Sequence, residues 1–182
     1  MKKLVLVFAF AAFVATGFSQ KQTVMVGGEA MYPKKDIVSN AVNSADHTTL
    51  VAAVKAADLV ETLQSKGPFT VLAPVNDAFE NLPEGTVASL LKPEAKSKLT
   101  AVLTYHVLAG NYGFDDIASA IKKGGGKATM TTVQGATLTF AMNGMNNIVV
   151  MDGSGNTANI TTYDVNQSNG VIHVIDTVLL PS

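Results

Sequence analysis

Hydrophobic and polar positions alternate with different periods along the chain, and each period predicts a different kind of element. An apolar run from Leu4 to Ala15 follows Lys2 and Lys3 and gives way to Thr16-Gly17-Phe18-Ser19-Gln20. It is shorter than the ~20 residues a membrane-spanning helix needs and ends in small residues, so 1–19 reads as a bacterial-type signal peptide cut after Ser19. Residues 20–35 are mixed and aperiodic, with Gly27-Gly28 and Tyr32-Pro33, and read as an N-terminal tail or linker. A domain over 36–182 then begins with helical patterning at Asp36-Ile37-Val38, which resumes where Leu50, Val51, Val54 and Ala57 share one face. Phe69 to Leu72 is a short strand-like run, and Asn76 to Leu82 a brief helix. Pro93 and Glu94 open a helix with Leu99, Val102, Leu103 and His106 on one side. A further helix runs from Asp115 through Ile117 and Ile121 to Lys122-Lys123 and stops at Gly124-Gly125-Gly126, with its charges matched to its two ends.

From Ala128 onward the period changes to two. β-Branched, threonine-rich segments at 129–133, 136–142, 147–151, 157–162 and 171–180 are separated by Gly and Asn turns. Helices mainly N-terminal and strands mainly C-terminal predict an α+β fold.

Composition narrows the function. All 13 basic residues are lysine, set against 14 acids, and the chain has no cysteine. Without the bidentate guanidinium and without a basic field, nucleic acid is not an expected partner. Without thiols there is no disulfide framework, cysteine nucleophile or Cys zinc site. Removing Lys2 and Lys3 with the leader leaves eleven lysines, a net charge near −3, and no second apolar run of membrane-spanning length.

Three segments carry a resemblance. Thr70-Val71-Leu72-Ala73-Pro74-Val75-Asn76-Asp77-Ala78-Phe79-Glu80-Asn81-Leu82-Pro83, then Leu103-Thr104-Tyr105-His106-Val107-Leu108-Ala109-Gly110, then Asn169-Gly170-Val171-Ile172-His173-Val174-Ile175-Asp176 with Thr177-Val178-Leu179-Leu180-Pro181, resemble in order and spacing the first box, tyrosine-histidine motif and second box of the fasciclin domain. The resemblance covers about 36–181. It implies a β-sandwich or wedge dressed with short helices, and a secreted, periplasmic or surface-attached protein that mediates adhesion or extracellular contacts. Val75 departs from it, standing where the family usually has a threonine or serine able to cap the next helix; Asn76 is the expected substitute.

Candidate chemistry is thin. Tyr105 and His106 invite acid–base work, but no nucleophile, carboxylate or metal partner stands beside them, so a buried, hydrogen-bonded histidine is expected. His173 and Asp176 fall on opposite strand faces and form no local metal pair. Asp152-Gly153-Ser154-Gly155-Asn156 resembles the start of a calcium loop but has Thr157 at the sixth position and Tyr163 at the twelfth, so it reads as a hairpin turn. Gly124-Gly125-Gly126-Lys127 lacks the spacing of a phosphate loop. No catalytic, cofactor or metal residues are therefore assigned, and an enzyme, hydrolytic or other, is the least supported reading. Candidate contact residues for a cell-surface or matrix protein or glycan are Tyr163, Asp164 and Val165, read as a loop, with Asn76 and Asp77. In adhesive fasciclin proteins an aspartate followed by an aliphatic residue at this position belongs to an integrin-recognising motif. Aspartate also caps helices, and Asn76 and Asp77 sit where capping is common. An alternative role is carriage of an apolar small molecule, a lipid or pigment, in a cleft of Met142, Met145, Ile148 and Met151.

Overall fold

A computed structural model describes residues 22–181, so the expected signal peptide lies outside the described residues. Part of the expected tail is structured. Strands β1 (Val24–Val26) and β2 (Glu29–Met31) pair antiparallel around Gly27 and Gly28, whose φ angles of 60° and 77° suit a tight hairpin turn. Val26 and Met31 are buried in the helical core, which is why this stretch is not a linker. Three-residue strands are too short to display a period.

Asp36 opens α1 (Ile37–Ala41), its Oδ1 accepting from Ser39 N–H at 2.9 Å. A 3₁₀ turn at Ala45–His47 leads into α2 (Thr48–Ala56), and α3 (Val60–Gln64) follows. Strand β3 (Phe69–Pro74) precedes α4 (Asn76–Glu80) and α5 (Thr86–Leu90); α5 buries no residue fully, and its half-buried Leu90 packs against the helical core. Helix α6 (Lys96–Tyr105) buries Leu99, Leu103 and Tyr105 and runs into β4 (Val107–Ala109). Helix α7 (Phe114–Lys123) buries Ile117 and Ile121 between acidic first and basic last turns.

The remaining strands are β5 (Lys127–Thr131), β6 (Thr137–Asn143), β7 (Asn147–Met151), β8 (Thr157–Gln167) and β9 (Gly170–Ile175). They join a seven-stranded sheet in the order β4-β3-β9-β8-β7-β6-β5, antiparallel except between β3 and β9. Strand β8 belongs to both halves: Asn159 lies opposite Val149 of β7, whereas Val165 lies opposite Ile172 of β9. Register shifts on either side of Thr162 bend it from one half to the other. The far edges meet in a Leu108–Thr132 bridge, and Val133 N–H donates to Val107 O at 2.8 Å, which makes the sheet a nearly closed wedge.

Strands β3 and β9 are apolar on both faces because both faces are covered. Val71, Ala73, Ile172 and Val174 pack toward the helices; Leu72 and Ile175 pack inside the wedge with Phe140, Ile148, Val150 and the apolar side of α7. Strands β6 and β7 bury alternate residues, as their sequence period requires.

Candidate functional site

Tyr163-Asp164-Val165 is not a loop; it is the bulged middle of β8. Asp164 has φ 55°, a left-handed conformation that aspartate tolerates better than most residues. Its Oδ1 accepts from Phe114 N–H at 2.8 Å and so satisfies the first turn of α7. A Cβ at Gly113 would come within 3.0 Å of the same oxygen, so the glycine admits the carboxylate. Val165 is buried, and Tyr163 Oη accepts from Ile148 N–H at 2.7 Å while its ring meets Phe114 and His173 edge-on. The side chains expected to face a partner are thus tied to α7 and β7. Asp164→Ala is expected to lower stability by about 1 kcal/mol, the usual value of a helix cap, in a denaturant-unfolding comparison.

His173 lies on the opposite strand of this joint. Its Nδ1 faces Asp164 N–H at 3.3 Å and accepts, which puts the ring proton on Nε2, 2.8 Å from Tyr112 O. His106 is held by the same logic: Leu179 N–H donates to Nε2 at 3.0 Å, so Nδ1–H donates to Val102 O at 2.8 Å. Burial lowers the pKa of both rings, and that of His106 falls to about 4. Tyr105 Oη donates to Thr137 O and accepts from Gly153 N–H, and burial raises its pKa. Both imidazoles are neutral near pH 7 with both nitrogens occupied, which leaves neither free to move a proton to or from a substrate.

Asp152 closes the β7–β8 turn. Its Oδ1 accepts from Ser154 and Asn156 N–H at 2.9 and 2.8 Å, and its Oδ2 from Asn156 Nδ2 and Leu180 N–H. Burial pushes its pKa up, but these donors outweigh it and hold the carboxyl below its usual value. Asp176 binds Asn159 through both carboxylate oxygens, away from His173. Among the described residues no three histidine or carboxylate groups converge as metal ligands.

Asn76 caps a different helix from the one expected. Val75 stands at the N-cap of α4 with no side-chain bond, whereas Asn76 Oδ1 accepts from Thr49 N–H at the start of α2 and its Nδ2 donates to Ala45 O. Asp77 is exposed beside it, near exposed Asp46. The methionine cleft does not form: Ile148 is fully buried, Met145 is 91% exposed at a hairpin tip, and Ile148 and Met151 point to opposite faces of β7. An apolar cavity lies elsewhere, between the helices and β3, lined by Met31, Val54, Leu63, Val71 and Ile172 among others, with His47 in its wall.

The Fasciclin domain family model matches residues 45–181. The chain belongs to the fasciclin family. This fasciclin domain is 45% identical over 163 residues to Protein sll1483 of Synechocystis sp., a match covering 88% of this chain and 82% of that protein. It is 36% identical to Immunogenic protein MPB70 of Mycobacterium bovis (78% and 66% covered) and 35% identical to Cell surface glycolipoprotein MPB83 of the same species (86% and 64%). The FAS1 domain pair of the insect cell adhesion molecule Fasciclin I has the same fold, with TM-score 0.70 at 18% identity over 80% of this chain and 51% of that one.

Two buried polar residues of this fasciclin domain have structural roles that spacing alone does not reveal; His47, which spacing placed in a loop and gave no support as a third histidine of a zinc site, lies instead in the 3₁₀ turn before α2. Asn169 opens the second box as a buried hydrogen-bonding hub, and the asparagine-glycine pair was its only local sign. His47 is buried, with Nδ1 2.8 Å from Ser44 Oγ; serine three residues before a histidine at a helix start was a usable sign.

Proposed function

We propose that this fasciclin domain is a secreted or surface-displayed, non-catalytic protein that contacts proteins or glycans at a cell surface. The observation that carries the reading is that His106, His173 and Tyr105, its candidate acid–base groups, have their polar atoms committed to backbone partners inside the fold. The name of the mycobacterial relative, a cell surface glycolipoprotein, points to the same location. Among the described residues no helix is long and apolar enough to cross a membrane.

Asp164 and Val165 are engaged internally, which supports a proposed contact face at the first box, where Asp77 and Asp46 are exposed beside the Asn76 staple. Attachment of the purified protein to envelope and matrix fractions, read by pull-down, tests this. Asp77→Lys is expected to reduce capture severalfold, while Asp164→Ala, though less stable, retains it. Failure of the unaltered protein to attach to either fraction would sink the proposal.

A further inference from the structure

Three places in the chain set a glycine directly after a side-chain amide or carboxylate: Asn143-Gly144, Asp152-Gly153 and Asn169-Gly170. All three carry the same latent chemistry. Attack by the glycine nitrogen on the preceding side-chain carbonyl carbon closes a five-membered ring, and glycine adds no Cβ to crowd that nitrogen or to restrict the backbone as it turns. The fold decides which pair is free to react.

Two of the pairs are locked. Asn169 is buried, and its amide is held by Ile37 N–H, Leu63 O and Ser65 O. Gly170 opens β9, where an added Cβ would lie 2.0 Å from Phe69 O, so the neighbouring strand leaves its backbone no room to swing. Asp152 is buried with both carboxylate oxygens accepting hydrogen bonds. Its attacking nitrogen would be that of Gly153, whose N–H donates to Tyr105 Oη at 3.2 Å. Either pair reacts only after local opening of the fold.

Asn143-Gly144 is the opposite case. Asn143 ends β6 opposite Asn147 at the start of β7, and Gly144-Met145-Asn146 turn the chain between them. All five residues are exposed, Met145 to 91%. Among the described residues neither the Asn143 amide nor Gly144 N–H has a hydrogen-bond partner. Gly144 has φ 79°, and a Cβ there would meet nothing within 4 Å, so the peptide on which attack depends borders open space. Exposed turn tips are the backbone of a domain that distorts most readily.

We propose that Asn143 is a site of spontaneous deamidation in the folded protein. Solvent base removes the Gly144 amide proton, the nitrogen bonds to Asn143 Cγ, the Cγ–Nδ2 bond breaks and Nδ2 leaves as ammonia. The cyclic imide then takes up one water at either carbonyl, giving aspartate or isoaspartate at 143. Water is the only co-reactant. The product carries one more negative charge, and the isoaspartate form lengthens the backbone by a methylene where Asn143 faces Asn147, at the tip of the β6–β7 hairpin. The proposal stands or falls independently of surface attachment.

The test holds the full chain at mildly alkaline pH, folded and in denaturant. Tandem mass spectrometry of its peptides follows the change from amide to acid at 143 and 169, and labelling by an isoaspartyl methyltransferase reports isoaspartate at all three positions. In the folded protein Asn143 is expected to convert more than about tenfold faster than Asn169 or Asp152, the effect of a modest cost of local opening. In denaturant Asn169 is expected to match Asn143, since both are then exposed asparagines before glycine. Asn143→Gln, whose longer side chain must close a larger ring, is expected to remove most of the folded-state signal. Equal conversion at 143 and 169 in the folded protein overturns the proposal, as does an undiminished signal from Asn143→Gln. So does an Asn143 that stays intact in the folded protein, whatever the denatured chain does.

Discussion

Acidification from neutral pH to pH 4 is expected to cost the protein about 3 kcal/mol of stability through His106 alone. Burial holds the folded pKa of this ring at about 4, against about 6.5 for a histidine in an unfolded chain. Between those values the unfolded state binds the extra proton and the folded state does not, so stability falls as pH falls through the window and is restored as pH rises. The geometry gives the reason. A proton added to His106 Nε2 would face Leu179 N–H, replacing an accepted hydrogen bond with two opposed donors. His173 behaves alike, because its Nδ1 accepts from Asp164 N–H, and burial also lowers the pKa of His47. Asp36 and Asp152, whose pKa values are lowered, lose their contributions only as pH falls below the unfolded carboxylate value of about 3.8, so the slope above that belongs to the histidines. Urea midpoints measured at intervals from pH 7 to 4 check this, together with the C2 proton of His106, which is expected not to titrate until the low end. A midpoint independent of pH across this range would contradict the buried, neutral assignment.

Asn169→Ala is expected to cost about 3 kcal/mol, because three buried or partly buried backbone groups lose their partner at about 1–3 kcal/mol for a fully stranded group. Asn169 Oδ1 accepts from Ile37 N–H at 3.1 Å, and its Nδ2 donates to Leu63 O at 2.7 Å and Ser65 O at 2.9 Å. One amide thus joins the start of α1 and the end of α3 to the start of β9. Asn169→Asp is expected to be nearly as damaging, since it keeps the acceptor and turns the two donor positions into oxygen facing oxygen. Denaturant unfolding measures the loss, and hydrogen exchange is expected to place it in α1 and α3 before the wedge. The exposed Asn147, replaced by alanine, serves as the control and stays within about 0.5 kcal/mol.

What was legible in the sequence was what a few neighbouring residues decide together. Helix α7 announced itself because Asp115, Ile117, Ile121 and Lys123 obey one period and one dipole, and the C-terminal strands because β-branched residues alternate between glycine turns. The fasciclin boxes were legible as words. Their geometry was not, because it depends on partners far away in the chain. Asp164 resembled a loop residue since the helix it caps begins 50 residues earlier, and Asn76 serves α2 from 27 residues downstream. The Met142–Met151 cleft failed for a related reason: spacing in the chain does not say which pleat face a residue takes once a hairpin register is set.

The parallel pairing of β3 with β9 has a consequence for how such a chain is made. Phe69 to Pro74 lie beside Gly170 to Ile175, so the middle of the sheet joins its first strand in the chain to its last. Until β9 emerges, β3 has only β4 to pair with, and both its apolar faces lack part of their cover. Pairings so distant in sequence form slowly and late. The domain is therefore built to stay open until its final strand arrives and closes the middle of the sheet.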